Sequence, residues 1–142
     1  MNGKAINKFT LEIEARSVNE SFARIVTAGF ISALDPTIDD LADIKTAVSE
    51  AVTNCIVHAY KNAGGKIRIS AWYDERKLLT ITVKDRGCGI EDVNKAKEPL
   101  YTTDKSGERS GMGFAIMENF MDKLHVYSKV GAGTRVVMKK QL

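Results

Sequence analysis

The chain has 142 residues, of which 44% are hydrophobic and 27% charged, a globular balance that excludes disorder along its whole length. Lysine plus arginine number 21 against 18 for aspartate plus glutamate. The resulting charge of +3, with no basic stripe, argues against direct contact with nucleic acid. Cys55 and Cys88 lack metal-ligand or disulfide-framework spacing, and no apolar run approaches the roughly 18 residues of a membrane span. Residues 1–8 carry no apolar core of an export signal, so the expectation is one cytoplasmic domain over 1–142 with no membrane partner.

Residues 9–15 alternate apolar and polar, the pattern of a half-buried strand. Ser17 followed by Glu20 reads as a capping box opening a helix near Val18. Phe22, Ile25, Val26, Phe30 and Leu34 form its apolar stripe, and Asp35-Pro36 ends it. Thr37 with Asp40 caps a second helix, whose stripe is Leu41, Ile44, Val48, Val52, Cys55 and Ile56. This helix is expected to run to about Asn62, with Gly64-Gly65 as the stop. Two alternating segments, 66–73 and 78–85, read as a hairpin. A short helix is predicted over 91–97 and a loop over 100–110. A helix over 113–122 and two strands, 124–129 and 134–140, complete the chain. The order predicts helices layered on one face of a mixed sheet.

Three polar motifs interrupt these patterns. Glu50-Ala-Val-Thr-Asn54 places a carboxylate and a carboxamide one helical turn apart, about 6 Å along one face. That pair suits a proton acceptor beside an oxygen ligand for Mg²⁺, or simply a solvated glutamate and a surface asparagine. Asp85-x-Gly87-x-Gly89 follows a strand. Its glycines permit close backbone approach and its carboxylate can accept from an amino group on a purine, although the same residues also make an ordinary turn. Gly111-Met-Gly113 opens a helix after a polar loop, either as a seat for phosphate oxygens or as a hinge. There is no Walker motif and no dinucleotide-binding fingerprint.

In this order the motifs resemble the boxes of the GHKL ATPase/kinase superfamily. Glu50-x-x-x-Asn54 is similar to its N box, Asp85-x-Gly87-x-Gly89 to its first glycine box, and Gly111-Met-Gly113 to its second. Gly133-Thr134 resembles the family's late Gly-Thr. Longer runs resemble the small serine kinases that act as anti-sigma factors, on their sporulation branch. These are Arg16-Ser-Val-Asn-Glu-Ser-Phe-Ala-Arg24, Ser49-Glu-Ala-Val-Thr-Asn54, Arg109-Ser-Gly-Met-Gly-Phe114 and Met117-Glu-Asn-Phe-Met-Asp122. The resemblance covers nearly the whole chain.

The resemblance implies an α/β (α+β) two-layer sandwich, a mixed, mostly antiparallel sheet covered on one face by helices, of the Bergerat ATP-binding type. It implies ATP and Mg²⁺ as cofactors, with Asn54 helping to hold the metal and Asp85 reading the adenine amino group. Gly87, Gly89, Gly111 and Gly113 would shape the pocket, with Thr134 on the adenine side. A lid over 99–110 would bring Thr102, Thr103, Lys105, Arg109 and Ser110 to the phosphates. Glu50 is implied as the base that takes the proton of a protein serine attacking the γ-phosphate. The implied partners are a second copy of the chain, the sporulation sigma factor sigma-F, and an anti-anti-sigma factor carrying the target serine. Arg24 is the candidate contact, with a solvated arginine as the alternative. Competing readings are a stress-response paralogue and a module that binds ATP without kinase chemistry. His58, one turn beyond Asn54, either borders the cleft or packs. A chain of 142 residues leaves no room for the phosphoacceptor domain of a sensor histidine kinase.

Overall fold

A computed structural model describes residues 3–98 and 113–142. The elements run β1 (Asn7–Glu14), α1 (Val18–Ile31), a 3₁₀ turn (Ser32–Leu34), α2 (Ile38–Asn54), a π-helical turn (Cys55–Ala59), β2 (Lys66–Tyr73), β3 (Leu78–Asp85), α3 (Val93–Ala96), α4 (Gly113–Phe120), β4 (Lys123–Lys129) and β5 (Gly133–Gln141). The strands form one five-stranded sheet in the order β1-β2-β3-β5-β4. Every pairing is antiparallel, so the sheet is fully antiparallel rather than mixed. The helices cover one face, giving the α+β layering expected from the sequence.

Alternation decides the sheet. Ile67, Ile69 and Ala71 on β2, and Leu79, Ile81 and Val83 on β3, point to the helical layer and are buried. Ile44, Ala47, Val48, Ala51 and Val52 on α2 meet them at helical spacing, with exposures of 0–1%. Helix α2 is therefore the central helix, packed between α1 and α4. No described helix is long and apolar enough to cross a membrane.

Three local expectations are corrected. The buried face of α1 is Ala23, Thr27 and Ile31, whereas Phe22 and Ile25 are 45% and 65% exposed. Small side chains let α1 approach α2 closely, and Thr27 satisfies its hydroxyl on the Ala23 carbonyl at 2.9 Å. Phe30 is half-buried and packs edge-on against Phe9, ring centres 4.8 Å apart.

The capping box is absent. Ser17 already has helical dihedrals (φ −57°, ψ −33°) and its side chain makes no cap bond. Glu20 instead accepts from Ser49 and, at 3.3 Å, from Thr53, both on α2. Asn19 secures the helix start by donating to the Glu14 carbonyl at 2.9 Å. In contrast, Thr37 caps α2 as predicted, accepting from Asp40 N at 3.0 Å.

The third correction concerns the end of α2, which does not continue regularly toward Asn62. After Asn54 the chain widens into the π turn, with Tyr60 N donating to Cys55 O at 3.0 Å. The predicted loop over 100–110 lies outside the described residues.

Candidate functional site

A cavity of about 330 Å³ opens where the end of α2, the end of β3, the start of β5 and the first turn of α4 converge. Asn54, Cys55, His58, Asp85, Gly89, Gly113, Phe114 and Thr134 are among its walls. Four predicted groups that are distant in sequence thus meet in one place: the carboxamide of the first motif, the carboxylate and Gly89 of the second, Gly113 of the third, and the late threonine.

Asp85 is the chemical centre. It is 4% exposed, and its Oδ1 accepts from Gly87 N at 2.9 Å and from Thr134 N at 3.2 Å. The first bond is an Asx turn, the local reason why Asp followed by glycine ends β3. The thiol of Cys55 sits beside this carboxylate and favours its charged form. Burial pushes the Asp85 carboxyl above the usual carboxylate range, and the two amides and the thiol oppose that shift. With Oδ1 held by backbone, the carboxylate presents an acceptor to the cavity, and an ionised carboxylate can only accept. The geometry fits an amino group on a planar, largely apolar ligand.

The loop after Asp85 is fixed by exclusion. Gly89 has φ +79°, and a Cβ there would lie 2.2 Å from Lys129 O, so β4 and the loop approach more closely than any side chain permits. Gly87 does not line the cavity, but docks on the π turn, where a Cβ would meet Ala59 O at 2.4 Å. The Thr134 hydroxyl lies 2.7 Å from Ser128 Oγ, which also accepts from Ile90 N at 2.8 Å. Gly113 leaves space beside Asn54, whose Oδ1 would be 2.9 Å from any Cβ added there.

Glu50 and Arg24 lie elsewhere. They line a second depression of about 290 Å³ between α1 and α2, together with Lys45, Thr46 and Ser49. The Arg24 Nε is buried with no hydrogen-bond partner among the described residues. Asn54 faces the first cavity while Glu50, one turn earlier, faces the second, so the two openings adjoin along α2. Thr102, Thr103, Lys105, Arg109, Ser110 and Gly111 lie outside the described residues.

Among the described residues no cluster of three His, Cys, Asp or Glu forms a metal site. The amide oxygen of Asn54 is one oxygen donor in the cavity wall suited to a hard cation, beside the carboxylates of Asp85 and Glu91, and such a cation would need further oxygens from a bound phosphate chain.

Sequence reasoning placed Cys55 in the apolar stripe and so missed its influence on Asp85. Its burial matches that placement, and burial raises its pKa well above the usual thiol range. His58 borders the cavity, one of the two alternatives left open for it. Lys61 and Phe114 in the wall carried no sequence signal beyond charge and apolarity.

Comparison with known proteins agrees with this architecture. Residues 12–140 match the histidine kinase-like ATPase domain family. The anti-sigma F factor of Clostridium acetobutylicum is 54% identical over 135 residues, covering 95% of this chain and 94% of that protein. The anti-sigma F factor of Caldanaerobacter subterraneus is 56% identical over 136 residues, covering 96% and 94%. Among solved structures, a Mycobacterium tuberculosis protein with RsbU and RsbW domains superposes with a TM-score of 0.69 at 19% identity, over 96% of this chain and 32% of that one. The catalytic domain of the histidine kinase ThkA superposes with a TM-score of 0.57 at 19% identity, over 94% and 95%. At that identity the structural likeness carries the fold alone. On the family match and the identities above one half, the chain belongs to the histidine kinase-like ATPase domain family and, within it, to the family of the anti-sigma F factors.

Proposed function

We propose that this chain is a cytoplasmic anti-sigma factor that binds Mg²⁺-ATP, restrains the sporulation sigma factor sigma-F, and phosphorylates a serine of an anti-anti-sigma factor. The observation that carries this reading is the buried Asp85 carboxylate, held on Oδ1 by two backbone amides and opening onto a cavity that reaches Asn54. A fixed acceptor in an apolar cleft selects an adenine amino group, and the asparagine amide at the far wall suits the metal on the phosphates.

Bound Mg²⁺-ATP supplies the γ-phosphoryl group and neutralises charge as it transfers. Asp85 orients the base, and Asn54 would hold the cation. Glu50, which lines the adjoining depression, would take the hydroxyl proton of a serine delivered between α1 and α2. Arg24 and Lys45 border the same depression and suit a partner presenting carboxylates beside that serine. A homodimer, as the resemblance implies, would offer two such depressions.

The test is transfer of labelled γ-phosphate to the anti-anti-sigma protein, with native mass spectrometry of the chain, Mg²⁺-ATP and sigma factor. Label on a serine, together with a nucleotide-loaded sigma complex, supports the reading. Nucleotide-dependent sigma capture without any label transfer leaves a binding module in place of a kinase. Undiminished sigma capture together with undiminished label transfer by Arg24→Glu removes Arg24 from the partner surface.

A further inference from the structure

The π turn at the end of α2 directs Tyr60 between the start of β2 and the loop that follows Asp85, and its hydroxyl makes one bond to each. It donates to Lys66 O at 2.5 Å and accepts from Arg86 N at 2.7 Å, which uses its one proton and one of its lone pairs. The Arg86 amide belongs to the peptide bond immediately after Asp85. The carbonyl of that peptide faces Gly133, where an added Cβ would be 2.2 Å from Asp85 O. One peptide plane is therefore pinned on both sides, by a phenol on its N–H and by a close backbone approach on its C=O. A second tie runs from the same turn, Cys88 N donating to Ala59 O at 3.0 Å.

The consequence for Asp85 follows from the chain's geometry. The carboxylate is oriented by Gly87 N, two residues on. The direction of that N–H depends on the peptide plane between Asp85 and Arg86, since backbone rotation is confined to the dihedrals flanking each planar peptide. The ring is seated tightly as well, because a Cβ on Gly65 would lie 2.5 Å from Tyr60 Cε1. Burial pushes the phenol above its ordinary range, so it remains a proton donor to Lys66 O throughout neutral pH.

We infer that Tyr60 is a positioning residue for base recognition: its hydroxyl holds the Asp85–Arg86 peptide, and through it the carboxylate that distinguishes an amino-bearing purine. This inference rests on the nucleotide reading of the cavity, and it assigns the precision of that reading to a side chain that does not line the cavity.

The test compares ATP with inosine triphosphate, which carries an oxo group where adenine carries its amino group, by calorimetry on the full chain with Mg²⁺. The wild-type chain should prefer ATP by at least about tenfold, because a polar group built to pair rejects an analogue that cannot. Tyr60→Phe keeps the ring and should weaken ATP about tenfold, the order of one lost hydrogen bond, while inosine triphosphate stays within about twofold. Gly65→Ala keeps the hydroxyl but displaces the ring, and should give the same selective loss. An unchanged preference in both variants, or equal weakening of both nucleotides, overturns the inference, since general damage to the fold does not discriminate between the two bases. A wild-type chain that binds neither nucleotide fails earlier and removes the nucleotide reading itself.

Discussion

The cavity at the end of α2 and the depression between α1 and α2 share one helix and little else. In the first, a buried carboxylate is held by fixed backbone amides beside glycines with no room for a side chain, and Asn54, His58, Lys61 and Glu91 complete the polar part of a largely apolar wall. In the second, charges of both signs line an opening, and a buried Arg24 Nε lacks a hydrogen-bond partner among the described residues. A buried polar atom left unsatisfied costs about 1–3 kcal/mol, which makes Arg24 Nε the least settled polar atom of this depression among the described residues. The contrast sets a preformed, tightly braced pocket against a more open, charge-lined depression.

Crossed substitutions test that contrast most strongly. Glu50→Gln should slow phosphotransfer about 100-fold or more, as removal of a general base does, while ATP affinity stays within about twofold. Kinase assays and calorimetry on one preparation check both halves, and a large loss of ATP affinity would merge the two sites into one.

Asp85→Asn should do the reverse, weakening ATP about ten- to a hundredfold through loss of a charge-assisted hydrogen bond. It also has a pH signature. Because burial raises the native Asp85 pKa, only between the unfolded and native values does the native state hold a proton that the unfolded chain has already released. Wild-type stability from this group is therefore present at low pH and lost as pH rises through the raised native value. The variant lacks that loss, so its unfolding free energy relative to wild type should be most favourable at neutral pH and decline on acidification. Denaturant melts across pH without nucleotide measure this, and a variant that gains stability relative to wild type on acidification would contradict the assigned shift.

Gly89→Ala should destabilise the chain by about 2 kcal/mol or more, from positive φ combined with a backbone clash, as read from the denaturation midpoint. The smallest pair concerns the helix starts. Thr37→Ala should cost about 1 kcal/mol, whereas Ser17→Ala should change stability by less than about 0.3 kcal/mol, because only the threonine caps. Equal costs would restore the capping box at Ser17.

The sheet strands, the Thr37 cap and the three motifs were legible because each is a local property. Alternation of period two, a short hydroxylated side chain before a helix, and glycine beside aspartate act within a few residues of chain. The Ser17–Glu20 pattern misled because its local offer competed with a tertiary one: Glu20 bonds to Ser49 and Thr53, some thirty positions away. The stripe on α1 misled because size, not apolarity, set which residues face α2, and Ala23 and Thr27 fit where Phe22 does not.

By itself the sequence determined the alternating strands, the central amphipathic helix and the polar motifs Asn54, Asp85 and Gly113 that reach the cavity wall, since these follow from periodicity and side-chain chemistry. Only the tertiary structure decided which opening Glu50 and Asn54 each face, that a thiol from the apolar stripe reaches Asp85, and that a tyrosine beyond a widened turn holds the next peptide. Those relations join residues about 26 to 30 positions apart through the docking of α2 on β3. No pattern within a single element records such distances, because they arise from how close-packed layers bring separate elements together.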